Sequence, residues 1–167
     1  MNNSVIAYLG LGANLGRPAE TLAATVRAIR EWPQTRCRAV SRLYHSAPMG
    51  PADQPDFCNA VVQLRTKLSA PALLAQAQAT ERAFGRIRSD VRWGARSLDL
   101  DLLLHGDEVV QDADLVLPHP GLEQRAFVVF PLLDVAADLT LPSGRSLAEV
   151  ARRLGQDGLL RVEAWAP

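Results

Sequence analysis

Leu98-Asp99-Leu100-Asp101-Leu102 alternates apolar and acidic residues without a break. Residues two apart in a β-strand project from one face, so this spacing predicts two carboxylates side by side on one surface of a sheet. Like charges that close repel each other unless water or a cation lies between them. Mg²⁺ takes one or two carboxylates and fills its remaining positions with phosphate oxygens and water, which makes the pair a candidate magnesium site. A half-exposed strand whose acids only face water would share the pattern. Just upstream, Arg86, Arg88, Arg92 and Arg96 crowd around Trp93 and Gly94. Salt bridges to the aspartates are the plain use for them, but four guanidinium groups exceed what two carboxylates can pair. The surplus suits a polyphosphate, whose oxygens need neutralising as charge redistributes during transfer. Ser89-Asp90 and Gly94 mark the segment as a loop able to fold over a ligand, a lid over residues 86–95.

The elements that must position these residues follow from periodicity. Residues 5–12 read as a buried strand ending in glycines. Pro18 suits a helix start, and Leu22, Val26 and Ile29 recur at helical spacing until Trp32-Pro33. Strand-like stretches cover Arg36–Ser46 and Cys58–Thr66, separated by a loop over 47–56 that contains three prolines and a glycine. Ser69 and Pro71 open a second helix carrying Leu73, Leu74, Ala77 and Phe84, with Gly85 as its stop. Leu98–Leu104 is a strand, and His105-Gly106-Asp107-Glu108 turns into a short one at Val109-Val110. Leu132–Ala137 and Leu147–Leu154 have helical spacing, with Pro142-Ser143-Gly144 as the break. The order βαββαβ with appended C-terminal helices implies an α+β sandwich of the ferredoxin-like type, one sheet with its helices on one face.

Composition bounds the rest. A chain of 167 residues fits one domain, residues 1–167. With 48% hydrophobic and 22% charged residues it is an ordinary globular sequence, and no apolar run is long enough to cross a bilayer. The start, Met1-Asn2-Asn3-Ser4, lacks the basic and apolar stretches of a secretory signal, so a cytoplasmic address is expected. Cys37 and Cys58 lack metal-ligand spacing and read as small, reduced, packed residues. Lys+Arg and Asp+Glu number 18 each, so an anion site must come from local clustering.

The run Arg92-Trp93-Gly94-Ala95-Arg96-Ser97-Leu98-Asp99-Leu100-Asp101-Leu102-Leu103 resembles the signature of the 6-hydroxymethyl-7,8-dihydropterin pyrophosphokinases. Four further blocks support it in order: Leu11-Gly12-Ala13-Asn14-Leu15-Gly16; Ser46-Ala47-Pro48-Met49-Gly50-Pro51 followed by Asp53-Gln54-Pro55-Asp56-Phe57-Cys58-Asn59; Pro118-His119-Pro120; and Arg125-Ala126-Phe127. The resemblance spans roughly residues 5–160. It implies transfer of a diphosphate from ATP to the hydroxymethyl group of the reduced pterin, releasing AMP, in folate biosynthesis. It implies that Asp99 and Asp101 hold two Mg²⁺ ions on the ATP phosphates, and that Arg86, Arg88, Arg92, Trp93, Arg96, Leu102, His119 and Arg125 lie on the nucleotide side. Arg88 and Arg96 are then catalytic together with the two aspartates. Gln78 and Glu81 match further ATP-side positions, although a solvated helix edge would look the same.

On the pterin side, Phe57 and Phe127 match two aromatics that sandwich the ring, Asn59 matches the side chain bonded to its amide edge, and Ser46, Ala47, Pro48 and Met49 add backbone contacts. Stacking captures the faces of a flat heterocycle, and a fixed amide reads its edge. Asp114 and Val116 depart from the basic and hydroxyl residues of some relatives, and Pro120 replaces an aromatic. The expected partners are ATP and 6-hydroxymethyl-7,8-dihydropterin, with no nucleic acid and no membrane, on a monomeric chain.

Other readings fit less well. Gly10, Gly12 and Gly16 give G-x-G-x-x-x-G, one residue longer than the dinucleotide fingerprint, and no acid follows at the required distance. The Walker pattern fails because Arg17-Pro18 follows Gly16. Paired aspartates on such a sheet also suit nucleotidyl transfer, but a nucleic-acid enzyme needs a basic track, and here the arginines crowd one loop of a neutral chain. An RNA-binding module would need exposed aromatics where residues 98–104 carry leucines and aspartates.

Overall fold

The computed structural model describes residues 3–84 and 97–167. In chain order the elements are β1 (Val5–Ala13), α1 (Pro18–Ile29), β2 (Thr35–Val40), β3 (Leu43–Ser46), β4 (Phe57–Thr66), α2 (Ala70–Ala83), β5 (Asp99–His105), β6 (Val110–Gln111), β7 (Val116–Leu117), α3 (Ala126–Val135), α4 (Leu147–Leu154) and β8 (Leu159–Glu163), with a 3-10 turn at Leu122–Gln124 before α3. The main sheet runs β5-β1-β4-β3-β8, with β2 also on β4; β6 and β7 form a separate ribbon. Every pairing is antiparallel.

Because side chains alternate along a strand, the register sorts the sheet into two faces. Ala7, Leu9, Leu11 and Ala13 of β1, Val62 and Leu64 of β4, and Leu100 and Leu102 of β5 join one core with Leu22, Val26, Ile29, Leu73 and Ala77 from α1 and α2. Tyr8, Val61, Leu103 and Leu104 join a second core with Val128, Val129, Leu132, Leu147, Val150 and Ala151 from α3 and α4. The expectation of helices on one face is therefore corrected: the sheet is covered on both. Leu103 and Leu104 share a face because the β1–β5 register slips between Tyr8 and Leu9, as a β-bulge does.

Pro18 stands in the first turn of α1 and Ser69 caps α2, its hydroxyl accepting from the Ala72 N–H at 3.2 Å. Replacing such a cap by alanine costs about 1 kcal/mol. The Trp32 indole N–H donates to Thr80 Oγ1 at 3.1 Å and locks the two helices together.

Three further expectations are revised. The stretch 36–46 is two strands, because Ser41 intervenes: its hydroxyl accepts the Val61 N–H at 2.9 Å and donates to the Arg42 carbonyl at 2.7 Å, replacing a ladder bond. Helix α3 starts at Ala126 rather than Leu132 and runs through Pro131. Apart from Asp134 its sequence is apolar all round, the mark of a helix packed against more than one neighbour. Strand β8 is unanticipated; the Trp165 indole N–H holds the chain after it to the Ser41 carbonyl at 2.7 Å. Helix α3 is pinned by its Asp134 carboxylate, which accepts from Arg42 Nη2 at 3.0 Å and Nε at 3.1 Å and lies 3.0 Å from the Tyr44 hydroxyl. Burial, with help from Asp134, pushes that hydroxyl up to about 12. Among the described residues no helix is long and apolar enough to cross a membrane.

Candidate active site

On the α3 side of the sheet, the register lays out one cross-strand row after another. Asp99 pairs with Gly12, Gly12 with Asn59, and Asn59 with Tyr44; one step along, Asp101 pairs with Gly10 and Gly10 with Val61. Directly paired residues share a face, so the two aspartates and Asn59 project to the same side with only glycines between them. Glycine leaves a hollow there that any side chain would fill. A Cβ at Gly12 would stand 3.4 Å from Asn59 Oδ1, and one at Gly10 would stand 3.6 Å from Leu103.

Over this floor lies a cavity of about 310 Å³. Asp99, Asp101, His119 and Arg125 line it together with Ser46, Ala47, Met49, Phe57, Asn59 and Phe127. Segments far apart in sequence thus converge, with carboxylates and bases at one part and two aromatic rings and an amide at another. Phe127 arrives from the first turn of α3, and Phe57 and Ser46 face each other across β4 and β3. Met49 is 50% exposed at the mouth.

The Asn59 carboxamide is oriented by its neighbours. Its Nδ2 donates to Ser46 Oγ at 2.8 Å and approaches the Tyr44 carbonyl at 3.5 Å. A carbonyl can only accept, so the nitrogen faces Tyr44 and Oδ1 faces Gly12, where it can accept from a ligand N–H. His119 is oriented in the same way. Its Nδ1 accepts the Gly121 N–H at 3.1 Å, which leaves the proton of the neutral ring on Nε2, 3.8 Å from Asp101 Oδ1. Burial and the Arg125 guanidinium hold the His119 pKa below its ordinary value, with Asp99 opposing. The ring is a neutral donor beside a carboxylate.

Among the described residues no cluster of three or more His, Cys, Asp or Glu side chains could hold a metal unaided. Two half-exposed carboxylates on one face fit a magnesium ion that takes its other ligands from phosphate and water. Among the described residues they lack the further ligands of a fully protein-caged metal.

The remaining expected residues distribute as follows. Pro48 lies in the loop between Ala47 and Met49 without lining the cavity. Leu102 is buried in the opposite core with α1 and α2. Gln78 is exposed on α2, whereas Glu81 is 3% exposed and its Oε2 accepts the Leu100 N–H at 2.9 Å. Glu81 is thus no solvated helix edge: it anchors β5 between the two aspartates. Arg86, Arg88, Arg92, Trp93 and Arg96, with the expected lid, lie outside the described residues.

Three glycines have roles in the site that the sequence reading does not assign to them. Gly10 and Gly12 form the floor. Gly121 seats both bases, bonding His119 through its N–H and letting the Arg125 guanidinium lie where a Cβ would come within 2.5 Å of Nε. The sequence signal was the alternation of Gly10 and Gly12 inside a strand, which marks close backbone approach to a ligand.

Comparison with known proteins gives a consistent result. The model of the 7,8-dihydro-6-hydroxymethylpterin-pyrophosphokinase family matches residues 8–137. A 2-amino-4-hydroxy-6-hydroxymethyldihydropteridine pyrophosphokinase of Pseudomonas aeruginosa is 46% identical over 155 residues, 93% of this chain and 95% of the relative. Its Haemophilus influenzae counterpart is 40% identical over 158 residues, covering 95% and 98%. A crystal structure of a Plasmodium falciparum HPPK-DHPS triple mutant superposes with a TM-score of 0.72 at 14% identity, over 91% of this chain. That likeness speaks for the mixed α/β fold alone, and the chain spans 42% of that longer protein. With the family model over most of its length and such relatives end to end, this chain belongs to the 7,8-dihydro-6-hydroxymethylpterin-pyrophosphokinase family.

Proposed function

We propose that the cavity on the α3 face is where this pyrophosphokinase moves the terminal diphosphate of ATP onto the hydroxymethyl group of 6-hydroxymethyl-7,8-dihydropterin, a step of folate biosynthesis. One observation carries the reading: the glycine floor sets Asp99 and Asp101 beside a ring-sized space bounded by Phe57, Phe127 and Asn59.

In the reaction the hydroxymethyl oxygen forms a bond to the β-phosphorus, the bond from that phosphorus to the α,β-bridging oxygen breaks, AMP leaves, and the hydroxyl proton is released. Phe57 and Phe127 hold the faces of the pterin, and Asn59 Oδ1 accepts from its N–H edge. The Ser46–Met49 backbone closes the rim. Fixing both reactants in one hollow lowers the entropic cost of a bimolecular step. Asp99 and Asp101 would hold two magnesium ions, which when bound neutralise the oxygens of the transferring group. Arg125 and the Nε2 proton of His119 add donors for phosphate oxygens where charge gathers. Arg86, Arg88, Arg92, Trp93 and Arg96 are assigned to the nucleotide, with Arg88 and Arg96 catalytic, on the strength of the motif. Gln78, Glu81 and Leu102 are likewise assigned to the nucleotide side on the strength of the resemblance alone.

A ferredoxin-like layout of one domain is supported by the order β5-β1-β4 followed by β2 and β3, all antiparallel, with α1 and α2 as the crossovers. The proposal keeps a cytoplasmic monomer, without nucleic acid, in line with zero net charge. The test is product analysis of a mixture with ATP, Mg²⁺ and the hydroxymethyl pterin. AMP and the pterin diphosphate should appear in equal amounts; formation of ADP, or no turnover, would contradict the reading.

A further inference from the structure

Ten residues, 47–56, join β3 to β4 and carry part of the pterin rim. Tethers among the described residues hold this loop at both ends. At its start the Ala47 N–H donates to the Gly158 carbonyl at 2.9 Å, beside β8. At its end the tether is Asn14, the residue after β1, which is 1% exposed. Asn14 Nδ2 donates to Gln54 Oε1 at 2.9 Å and to the Pro55 carbonyl at 3.0 Å.

The orientation of this contact is fixed by chemistry. A proline carbonyl has no proton to give, so the Asn14 nitrogen must face Pro55, and the partner on Gln54 must be its oxygen. Both protons of the Asn14 amide therefore serve to hold residues 54 and 55. Two residues later the chain presents Phe57 to the cavity, and two residues earlier than Asn14 it presents Gly12, which pairs with both Asp99 and Asn59. Asn14 thus joins the strand that floors the aspartates to the loop that rims the ring.

We propose that Asn14, through Gln54 and the Pro55 carbonyl, is a positioning residue that pre-sets the 47–56 loop and Phe57 for pterin. This rests on the pterin reading of the cavity above. Pre-organisation lowers the ordering cost that binding would otherwise carry, so its loss falls on pterin affinity and leaves the nucleotide almost untouched.

Because a buried asparagine is risky to remove, the experiment is made at Gln54, which is only half-buried. Gln54→Glu keeps an acceptor toward Asn14, and Gln54→Met removes it at similar length. Pterin affinity is measured by calorimetry with Mg²⁺ and a non-hydrolysable ATP analogue, and amide exchange of residues 47–56 is followed in the unliganded protein. Gln54→Met should weaken pterin binding roughly three- to tenfold, the value of one hydrogen bond. Exchange in the loop should speed up, and ATP-analogue affinity should stay within twofold. Gln54→Glu, which keeps the acceptor for Asn14, should retain clearly more pterin affinity than Gln54→Met. Unchanged pterin affinity in Gln54→Met, or equal losses in Gln54→Met and Gln54→Glu, overturns the proposal. Phe57→Ala is measured alongside: if it too leaves pterin binding unchanged, the pocket reading itself fails, whereas a loss in Phe57→Ala alone defeats only the positioning role of Asn14.

Discussion

Gly12→Ala separates the site from the fold. Gly12 lies in regular β-strand backbone, paired on both sides, with no left-handed φ, so alanine is allowed there without strain. Such a replacement stabilises by about 0.4–1 kcal/mol through the unfolded chain. For a protein of this size that raises the melting temperature by about 1–4 °C. The added methyl would stand 3.4 Å from Asn59 Oδ1 and 4.0 Å from the Cys58 carbonyl, on the open side from which a ring N–H must approach that oxygen to about 2.9 Å. The ring then both loses its hydrogen bond and is pushed off the floor, costs of about 1 kcal/mol and about 1–2 kcal/mol. Together these weaken pterin binding by roughly thirty- to a hundred-and-fifty-fold. Calorimetric titration with the pterin, Mg²⁺ and a non-hydrolysable ATP analogue reads the affinity, and scanning calorimetry reads the melting temperature. A protein as stable as expected, with pterin affinity within twofold of the original, would refute the placement of the ring over Gly12.

Asn at Asp99 or Asp101 keeps shape and removes charge, so kcat should fall by on the order of 10²-fold or more at saturating Mg²⁺; steady-state AMP release checks this. Gly121→Ala would drive a Cβ to 2.5 Å from the Arg125 Nε and Cζ, so the guanidinium must move. Turnover and ATP KM should suffer by about tenfold, the scale of one charge-assisted hydrogen bond, with binary pterin affinity unchanged, as kinetics and titration can show. Glu81→Ala leaves the buried Leu100 N–H without that acceptor; the loss of about 1.5–3 kcal/mol lowers the melting temperature by about 4–10 °C, measured by scanning calorimetry.

What was legible in the sequence was what repeats or what only one chemistry explains. The alternation at 98–102 placed both carboxylates on one face because strand geometry allows nothing else. Ser69-Ala70-Pro71 announced α2 through capping chemistry that is local. The layers were harder. Helix α3 carries Asp134 as its one charged residue and no polar face to betray its period, so its start at Ala126 and its place across the sheet were hidden. With it went the second core, and hence the true depth of the site. The break at Ser41 depends on one hydroxyl taking a ladder bond from a strand twenty residues away, a choice no local window contains. The glycines of β1 were read against a nucleotide fingerprint when their meaning lay in cross-strand neighbours. Phe57, Asn59 and Phe127 were found by family likeness; in isolation each is an ordinary core or strand residue.

The central claim is that one cavity is divided between a ring and a triphosphate, and paired affinities of Phe57→Ala and Phe127→Ala test it most directly. Each ring removed should weaken pterin binding by roughly tenfold to a hundredfold, on the scale of about 1–3 kcal/mol per stacked face, while affinity for the ATP analogue alone stays within twofold. Equal losses for both ligands, in step with a falling melting temperature, would contradict it and return both phenylalanines to the core.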